Sequence, residues 1–377
     1  MTEAGRVPRL QLPRSLHVIG GKGLGGAERF FIRLVNALAR RGFPVAAVTV
    51  KNGRIARAIH PDVRQYHAPM LGSWDLYSRM RIGHFVRDFK PHVVQTYMGR
   101  ATRIVRLPEG QLPVHVARLG GFYNLKGYRH AHAWVGNTHG IHAYLASHGL
   151  PRQRIHTIGN FVDMPAPLEA ATLDALRLQL GLDRCRIILG LGRLHANKGW
   201  ADLLHAFARL PASHQGQPLH LLMVGEGPLR HELVQLARKL GIATRLHWAG
   251  WQMDPAPYYQ LADVFVCASI HEPLGNVILE AWANRALVVS TRAQGPLELI
   301  QDHTQGLLAP LSDPTGLAEV LQAALSMDAG SKAQLIAAGY REVEQHYSEA
   351  AILAAYGALY ESLCNRPTGQ DTNQGNT

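Results

Sequence analysis

Two glutamates, Glu272 and Glu280, lie eight residues apart in a segment that predicts a buried strand, a Pro/Gly loop and a helix beginning near Gly275-Asn276. Eight positions on one helix would separate the carboxylates by about 80°, so they converge more readily if Glu272 lies in the loop. The free backbone N–H groups of Leu274, Gly275 and Asn276 would then point at whatever lies between the carboxylates. Such donors suit a phosphate, and such carboxylates suit sugar hydroxyls. Solvated helix glutamates would show the same spacing, so the spacing alone leaves both interpretations open.

Two cations, Arg193 and Lys198, lie five residues apart in a glycine-flanked turn. The turn follows an apolar run at residues 187–189 and precedes an amphipathic stretch at residues 200–210. It is therefore predicted to join a strand to a helix, at the place where open α/β sheets bind ligands. Arginine offers a planar fork to phosphate oxygens and lysine a mobile point charge. Ordinary surface cations are the alternative interpretation of this turn.

Four segments occur in a characteristic order along the second half of the chain. They are the Arg193 to Gly199 turn, Val224-Gly-Glu-Gly-Pro228, the run from Tyr259 to Val266, and Glu272 to Glu280. This ordered series resembles the nucleotide-sugar half of the retaining glycosyltransferases of family 4, which have the GT-B fold. The resemblance extends from about residue 15 to about residue 363 and is more specific in the C-terminal half.

The resemblance implies two doubly wound, Rossmann-like α/β domains that face each other across a cleft. The length of 377 residues also favours two domains, and predicted strands alternate with predicted helices in both halves. We expect four regions. They are an N-terminal acceptor-side domain (1–163), a nucleotide-sugar-binding domain (164–346), a C-terminal helix that crosses back to the first domain (347–364) and a disordered tail (365–377).

The resemblance also implies roles for individual residues. Glu280 is expected to bind the ribose, Glu272 to lie beside the donor sugar hydroxyls, and Trp251 to lie near the base. Arg193 and Lys198 would stabilise the charge that develops on the departing diphosphate, so both are expected, with Glu272, to be catalytic. The full donor-binding set comprises Gly25, Gly26, Arg193, Lys198, Trp251, Leu274, Gly275, Asn276 and Glu280.

No D-x-D pair occurs in the sequence, so we expect neither a metal ion nor another cofactor, and the nucleotide-diphosphate sugar is a co-substrate. The family mechanism is front-face attack, in which the departing phosphate takes the acceptor proton. Where many members have a histidine after a strand of the first domain, this chain has Arg118-Leu-Gly-Gly121. His130 and His132 are nearby alternatives for a base, although most histidines have structural roles.

The glycines at Gly21, Gly23 and Gly26 also fit G-x-G-x-x-G, which is typical of dinucleotide-binding enzymes. Such enzymes need an acidic residue at the end of the following strand, to hold the ribose. Here that strand ends at Lys51-Asn52, so the dinucleotide interpretation is disfavoured. The family resemblance instead implies a flexible loop that closes over the donor.

The charge of the chain is uneven. Residues 1–165 contain 24 Lys and Arg against 7 Asp and Glu, a net charge of +17, whereas residues 166–377 carry −5. This favours an anionic acceptor or membrane surface beside the first half, with a basic surface kept for solubility as the alternative. Residues 122–129 mix aromatic and cationic side chains and are one candidate for membrane contact, or else a plain surface segment. No nucleic-acid-binding signature is present.

The three cysteines lack metal-ligand spacing, and the sequence has neither a signal-peptide core nor a membrane-spanning run. These features favour the cytoplasm, either free in it or peripheral on the inner face of the cytoplasmic membrane. We therefore expect transfer of a sugar from a UDP- or GDP-sugar to an envelope glycolipid, oligosaccharide or polysaccharide, as in lipopolysaccharide biosynthesis. The alternatives are a GT-B relative with a soluble acceptor, a nucleotide-sugar epimerase, and a non-enzymatic scaffold that binds a nucleotide sugar.

Overall fold

The computed structural model describes residues 13–365 except residues 22 and 24, so most of the tail predicted at 365–377 lies outside the described residues. The chain forms two compact units. Unit 1 comprises the residues up to Gly159 together with those from Ile352 onward, and unit 2 is Asn160–Ala351. The chain therefore leaves unit 1 once and later returns to it.

Unit 1 is built on a parallel sheet with the strand order β3-β2-β1-β4-β5-β6-β7. Its strands, as far as the structure describes the chain, are β1 (Ser15–Ile19), β2 (Val45–Thr49), β3 (Arg64–His67), β4 (Val93–Tyr97), β5 (Val114–Leu119), β6 (Ala133–Gly136) and β7 (Ile155–Thr157). Since every strand runs in the same direction, all the loops that follow strands lie at one edge of the sheet.

Unit 2 has a second parallel sheet with the order β11-β10-β8-β12-β13-β14, and the short β9 pairs with β10 in the antiparallel sense. Its strands are β8 (Arg186–Leu191), β9 (Ser213–His214), β10 (Gln217–Val224), β11 (Leu246–Gly250), β12 (Val264–Cys267), β13 (Val288–Thr291) and β14 (Leu307–Ala309). The direction in which strands are added reverses between β8 and β12, so the loops after these two strands are neighbours at a topological switch point.

Helices connect the strands in both units. In chain order they are α1 (Gly26–Arg40), α2 (Arg54–Ala58), α3 (Leu76–Phe89), α4 (Met98–Ile104), α5 (His139–Ser147), α6 (Ala170–Gln179), α7 (Trp200–Arg209), α8 (Arg230–Lys239), α9 (Ala256–Leu261), α10 (Asn276–Ala283), α11 (Gln294–Leu299), α12 (Pro314–Ser326), α13 (Ala329–Glu342) and α14 (Glu349–Cys364). Within the described residues, no helix is both long and apolar enough to span a bilayer.

Hydrophobic periodicity explains most of these elements. In α1 the buried residues include Phe30, Phe31, Leu34 and Leu38, which recur at helical spacing and pack on the sheet. The central strand β8 reads Arg-Ile-Ile-Leu-Gly-Leu and is buried over its middle four residues, as expected for a strand covered on both faces. The strands predicted before the Arg193 turn and before Glu272 are confirmed as β8 and β12. β3 and β7 were not predicted, because these edge strands are short and largely polar.

The interior of unit 1 contains a polar network beneath α14. The Oη of Tyr360 donates a hydrogen bond to Oε1 of Gln95 (2.9 Å), and Nε2 of Gln95 donates to Oη of Tyr97 (2.6 Å). Nδ1 of His17 lies 2.8 Å from the same Tyr97 hydroxyl. Burial lowers the pKa of His17 to about 3, so this imidazole is neutral at physiological pH.

Candidate active site

The carboxyl edge of the unit 2 sheet brings together the loops that follow β8, β10, β11, β12 and β13. The backbone N–H of Gly192 donates to Val224 O (2.9 Å), and that of Gly225 donates to Gly250 O (2.7 Å). Glycine is required at Gly225, whose φ is +136°, because a Cβ there would overlap the carbonyl of Gly192. The loops are therefore joined backbone to backbone, which fixes the side chains that they carry.

The turn after β8 presents the predicted phosphate-binding cations. After a single 3-10 turn, Gly199 adopts φ +62° and caps the start of α7. A Cβ on Gly199 would overlap the carbonyl oxygen of Ala268, and the backbone N–H of Ile270 donates to Asn197 O (2.9 Å). The loops after β8 and β12 are thus in direct contact. Lys198 at this junction is partly buried, whereas Arg193 is exposed.

Lys198 and Glu272 form an ion pair across the two loops, through Nζ and Oε2. Glu272 is buried, and its Oε2 also accepts a hydrogen bond from Oγ of Ser269 (3.2 Å). The backbone carbonyl of Glu272 accepts from Gly295 N–H (2.8 Å), which ties the loop after β12 to the first turn of α11. Since a buried charge needs a partner, the pair holds both side chains in place.

The loop then turns into α10 through Gly275, which has φ +94° and lies just before the helix. None of the described residues accepts a hydrogen bond from the backbone N–H groups of Leu274, Gly275 and Asn276. The side chain of Asn276 is held by Asn160, whose Nδ2 donates to its Oδ1 (2.9 Å). These N–H groups, the positive end of α10 and Lys198 together make this place suitable for an anion.

Glu280 lies on α10, about one turn beyond the first residue of that helix. Its Oε2 accepts a hydrogen bond from Oη of Tyr259 on α9 (3.1 Å). Burial, and then the charge of Glu280, raises the pKa of Tyr259 well above its usual range, so the hydroxyl remains a donor. The tyrosine therefore orients the carboxylate. Trp251 lies at the same sheet edge, directly after β11, and is exposed.

In unit 1 the glycine-rich loop follows β1, and Gly25 caps the start of α1 at Gly26. Glu28 is buried and its carboxylate lies against the loop, so that a Cβ at Gly21 or Gly25 would contact a carboxylate oxygen. A Cβ at Gly26 would meet only open space. The predicted loop residues Gly25 and Gly26 thus lie at the carboxyl edge of the first sheet.

The histidines weighed as alternative bases lie elsewhere. His130 and His132 precede β6 and are at the amino-terminal edge of the sheet, opposite Gly25 and Gly26. The Nε2 of His130 is 2.8 Å from Thr102 O, and Nδ1 of His132 accepts from His115 N–H (3.0 Å). Burial lowers the pKa of both rings, and these contacts give them a structural role.

Arg118, unlike these two histidines, lies at the carboxyl end of β5. Its Nε donates to Oη of Tyr356 (2.9 Å), and its guanidinium lies 3.8 Å from the centre of the Phe30 ring.

Sequence reasoning missed the residues that hold the site residues in place, namely Ser269, Tyr259, Asn160 and Glu28. Ser269 lies three residues before Glu272 and Tyr259 lies within one of the recognised segments, but no local pattern signals the contacts themselves.

Comparison with known proteins decides the family. Residues 24–164 match the family model described as Glycosyltransferase Family 4, and residues 176–342 match Glycosyl transferases group 1. The lipopolysaccharide core biosynthesis glycosyltransferase LpsE of Rhizobium meliloti is 33% identical over 90% of this chain and 96% of its own. The chain belongs to the family 4 glycosyltransferases. LpsD of the same organism, also described as a lipopolysaccharide core biosynthesis glycosyltransferase, is 31% identical over 89% of this chain and 95% of its own.

The fold agrees with this assignment to family 4. Anabaena Alr3699/HepE, solved in complex with UDP, superposes with a TM-score of 0.79 over 93% of this chain and all of that one, at 18% identity. The predicted GT-B class, with two parallel-sheet α/β domains, is confirmed. Membership of family 4 makes the enzyme a glycosyltransferase, and the glutamates and cations of the unit 2 edge are its candidate active-site residues.

Proposed function

We propose that this glycosyltransferase moves a sugar from a UDP- or GDP-sugar to an envelope glycolipid or polysaccharide, in lipopolysaccharide or related glycan biosynthesis. One observation carries the proposal: Lys198, Glu272 and the N–H groups of residues 274–276 meet at the switch point of the unit 2 sheet. The UDP and UDP-glucose complexes of HepE support a nucleotide-sugar donor. The two lipopolysaccharide core relatives support the choice of acceptor.

The donor would be held by three kinds of contact. Lys198 and the exposed Arg193 would bind diphosphate oxygens, with the N–H groups before α10 completing the anion site. Glu280, oriented by Tyr259, would accept hydrogen bonds from the ribose hydroxyls. Glu272 would turn from Lys198 towards the hydroxyls of the sugar once the diphosphate takes over the lysine.

Transfer would proceed with retention of the anomeric configuration. The bond between the anomeric carbon and the β-phosphate oxygen breaks as the acceptor oxygen bonds to the same face of that carbon. The acceptor proton passes to the departing phosphate oxygen, so no separate protein base is needed. Negative charge grows on the diphosphate in the transition state, where fixed cations and N–H donors stabilise it most.

We further propose that the reaction needs no metal ion. Arg193, Lys198 and the positive end of α10 would neutralise the diphosphate in its place, because all three lie at one sheet edge. The basic N-terminal half would bind the acceptor at the anionic inner face of the cytoplasmic membrane.

A thermal-shift screen tests the donor site first. Purified protein is heated with UDP, GDP, ADP and their sugars, with and without EDTA. A ligand that binds only the folded state raises Tm, so we expect a shift with UDP or GDP that EDTA leaves unchanged. A shift that EDTA removes would contradict metal independence. No shift with any nucleotide from a folded sample would contradict the donor proposal.

The ribose contact is tested in the same assay with Glu280→Ala. Loss of hydrogen bonds to a charged group should weaken nucleotide binding by about 10- to 100-fold. Glu280→Gln keeps an acceptor for Tyr259 and should bind with intermediate affinity, which separates a fold effect from a binding effect. Glu232→Ala, at an exposed glutamate of α8, is the matched control. Unchanged affinity in Glu280→Ala would exclude the ribose role.

A further inference from the structure

The loop between β3 and α3 and the first two turns of α3 expose five large apolar side chains. This apolar ridge consists of Leu71, Trp74, Leu76, Tyr77 and Met80. Trp74 is 93% exposed and Leu71 is 74% exposed. Of the fourteen exposed large hydrophobic residues in the described chain, these five fall within ten consecutive positions. Scattered apolar residues are normal on a surface, but a cluster of this kind marks an interaction site.

The backbone beneath the ridge is held by a compact set of hydrogen bonds. Oδ1 of Asp75 accepts from Ser78 N–H (2.9 Å), and Oδ2 accepts from Leu71 N–H (3.0 Å) and Ser78 Oγ (2.7 Å). Ser78 Oγ also accepts from Met70 N–H (2.9 Å). The bonds from Ser78 lower the pKa of Asp75, so it stays ionised. The loop thus presents Leu71 and Trp74 outward from a fixed frame.

Four arginines surround the ridge. On α3, Leu76 and Met80 share one face, and Arg79 and Arg81 lie to either side of it at roughly 60° and 140° from Leu76. Nη1 of Arg103 donates to Oγ of Ser73 in the loop (3.2 Å). Burial and the nearby charge of Arg79 lower the pKa of Arg106, which places these two cations close together.

These arginines are not neutralised within the described part of the protein. No ion pair joins Arg79, Arg81, Arg103 or Arg106 to a described acidic residue. Asp75 is used by the loop itself, and Asp88 pairs with Arg64 (2.7 Å). The surface around the ridge therefore carries excess positive charge.

We propose that the apolar ridge enters the headgroup layer of an anionic bilayer, with the four arginines on lipid phosphates. Tryptophan, tyrosine and snorkelling arginine suit the boundary between acyl chains and headgroups, and each nearby cation adds attraction to an anionic leaflet. A second copy of the chain fits less well, because a twofold contact through the ridge would bring two sets of arginines together. This inference deepens the membrane side of the proposed function by naming the surface that makes the contact.

Residues 122–129, the other candidate for membrane contact, pack against the rest of unit 1. Phe122 lies edge-on against Tyr144 (5.3 Å between ring centres), and Tyr123 stacks on Tyr128 (6.1 Å). The two aromatic side chains at its start, Phe122 and Tyr123, are 38% and 37% exposed. Residues 122–129 therefore offer a bilayer much less apolar surface than the ridge does.

Co-sedimentation with vesicles tests the ridge. Wild-type protein is mixed with vesicles of phosphatidylcholine alone or with phosphatidylglycerol added. We expect binding to the anionic vesicles only, and at least tenfold weaker binding by the double variant Leu71→Ser/Trp74→Ser. Leu178→Ser is the matched control, because Leu178 in unit 2 is 73% exposed and should be dispensable. The proposal would be overturned if Leu178→Ser lost as much binding to anionic vesicles as the double variant, or if the double variant lost none.

The cations are tested in parallel. Arg79→Gln/Arg81→Gln should weaken binding to anionic vesicles, and added salt should weaken the wild type in the same way. Arg54→Gln/Arg57→Gln removes two exposed arginines of α2 and should bind as the wild type does. Sedimentation without lipid completes the set. A dimer that dissociates in Leu71→Ser/Trp74→Ser would show that the ridge takes a second copy, and would overturn the bilayer assignment.

Vesicle binding and donor binding can fail separately. The double variant should keep the wild-type thermal shift with nucleotides, since the ridge lies in unit 1 and the proposed donor residues Arg193, Lys198 and Glu280 lie in unit 2. If the wild type binds vesicles but no nucleotide raises its Tm, the donor proposal is wrong and the membrane-binding proposal stands. If a nucleotide raises Tm but the wild type does not bind vesicles, the membrane-binding proposal is wrong and the donor proposal stands.

Discussion

The two units have parallel sheets of similar size, yet they place their polar groups differently. Unit 1 buries polar side chains within its strands, including His17, Gln95, Thr96, His115 and Arg118. In unit 2 the strands β8 and β12 are essentially apolar, and buried polar groups such as Ser269 and Glu272 follow the carboxyl ends of strands.

This difference shows how one architecture can be used in two ways. In unit 2 a largely apolar sheet supports the candidate active-site residues, which lie on short loops joined through glycines. In unit 1 the interior polar network attaches a distant helix, α14, to the sheet, while the surface carries the basic and apolar groups. The predictions below would break or sharpen this contrast between candidate active-site loops in unit 2 and a polar interior in unit 1.

The largest effect is expected from Lys198→Ala. If the loops of unit 2 stabilise the departing diphosphate, loss of this cation should reduce kcat about 100- to 1000-fold, as for a lost oxyanion-hole donor. The measurement is steady-state transfer of labelled sugar, with circular dichroism to show that the fold persists. Lys239→Ala, at an exposed lysine of α8, should retain wild-type turnover. Full activity in Lys198→Ala would remove the lysine from the reaction.

A smaller effect is expected when a methyl group is introduced at the contact between the loops after β8 and β12. Gly199→Ala should lower the free energy of unfolding by about 1 to 3 kcal/mol more than Gly241→Ala. Both glycines have similar positive φ (+62° and +70°), but a Cβ at Gly241 meets open space while one at Gly199 overlaps Ala268. Denaturant unfolding of both variants gives the difference. Equal losses would mean that backbone strain alone, rather than the contact, requires glycine at 199.

The smallest effect is an acid sensitivity of β1 in unit 1, where His17 is fully buried. The folded-state pKa of His17 is about 3 against 6.5 for a free histidine, so between these values the unfolded chain binds more protons. The contribution of the neutral His17 to the free energy of unfolding is therefore fully present above pH 6.5. It falls as the pH is lowered towards the folded-state pKa, by about 1.4 kcal/mol per pH unit for one histidine. Hydrogen exchange at pH 7 and 5.5 should show β1 losing more protection than β8.

The control variants for this acid test are His17→Gln and His205→Gln. The first removes the titrating group and should flatten the pH dependence of β1 protection. The second changes an exposed histidine of α7 and should leave the pH dependence of β1 protection as in the wild type. A pH dependence that survives in His17→Gln would assign the acid sensitivity to other groups, such as His115, whose pKa burial also lowers.

The same division explains what could be predicted from the sequence. The elements around the unit 2 edge follow from local patterns, because the strand, glycine turn and helix at residues 187–210 and 264–283 are each continuous in the chain. The partner of Glu280 is 21 residues away and that of Glu272 is 74 residues away, so the contacts depend on the tertiary fold. The polar interior of unit 1 joins Gln95 to Tyr360 across 265 residues, which no local pattern signals. The apolar ridge was missed because its loop offers no periodicity.

The return of the chain to unit 1 has a consequence during translation. The ribosome completes unit 2, Asn160–Ala351, before it delivers the Tyr356 and Tyr360 that unit 1 requires. Until then, Arg118 and Gln95 lack these two hydroxyl partners inside a nascent unit that already contains all seven strands of its sheet. The half of the enzyme that is synthesised first is therefore the half that matures last, and a ribosome that stalls before residue 352 would leave unit 2 complete and unit 1 unfinished.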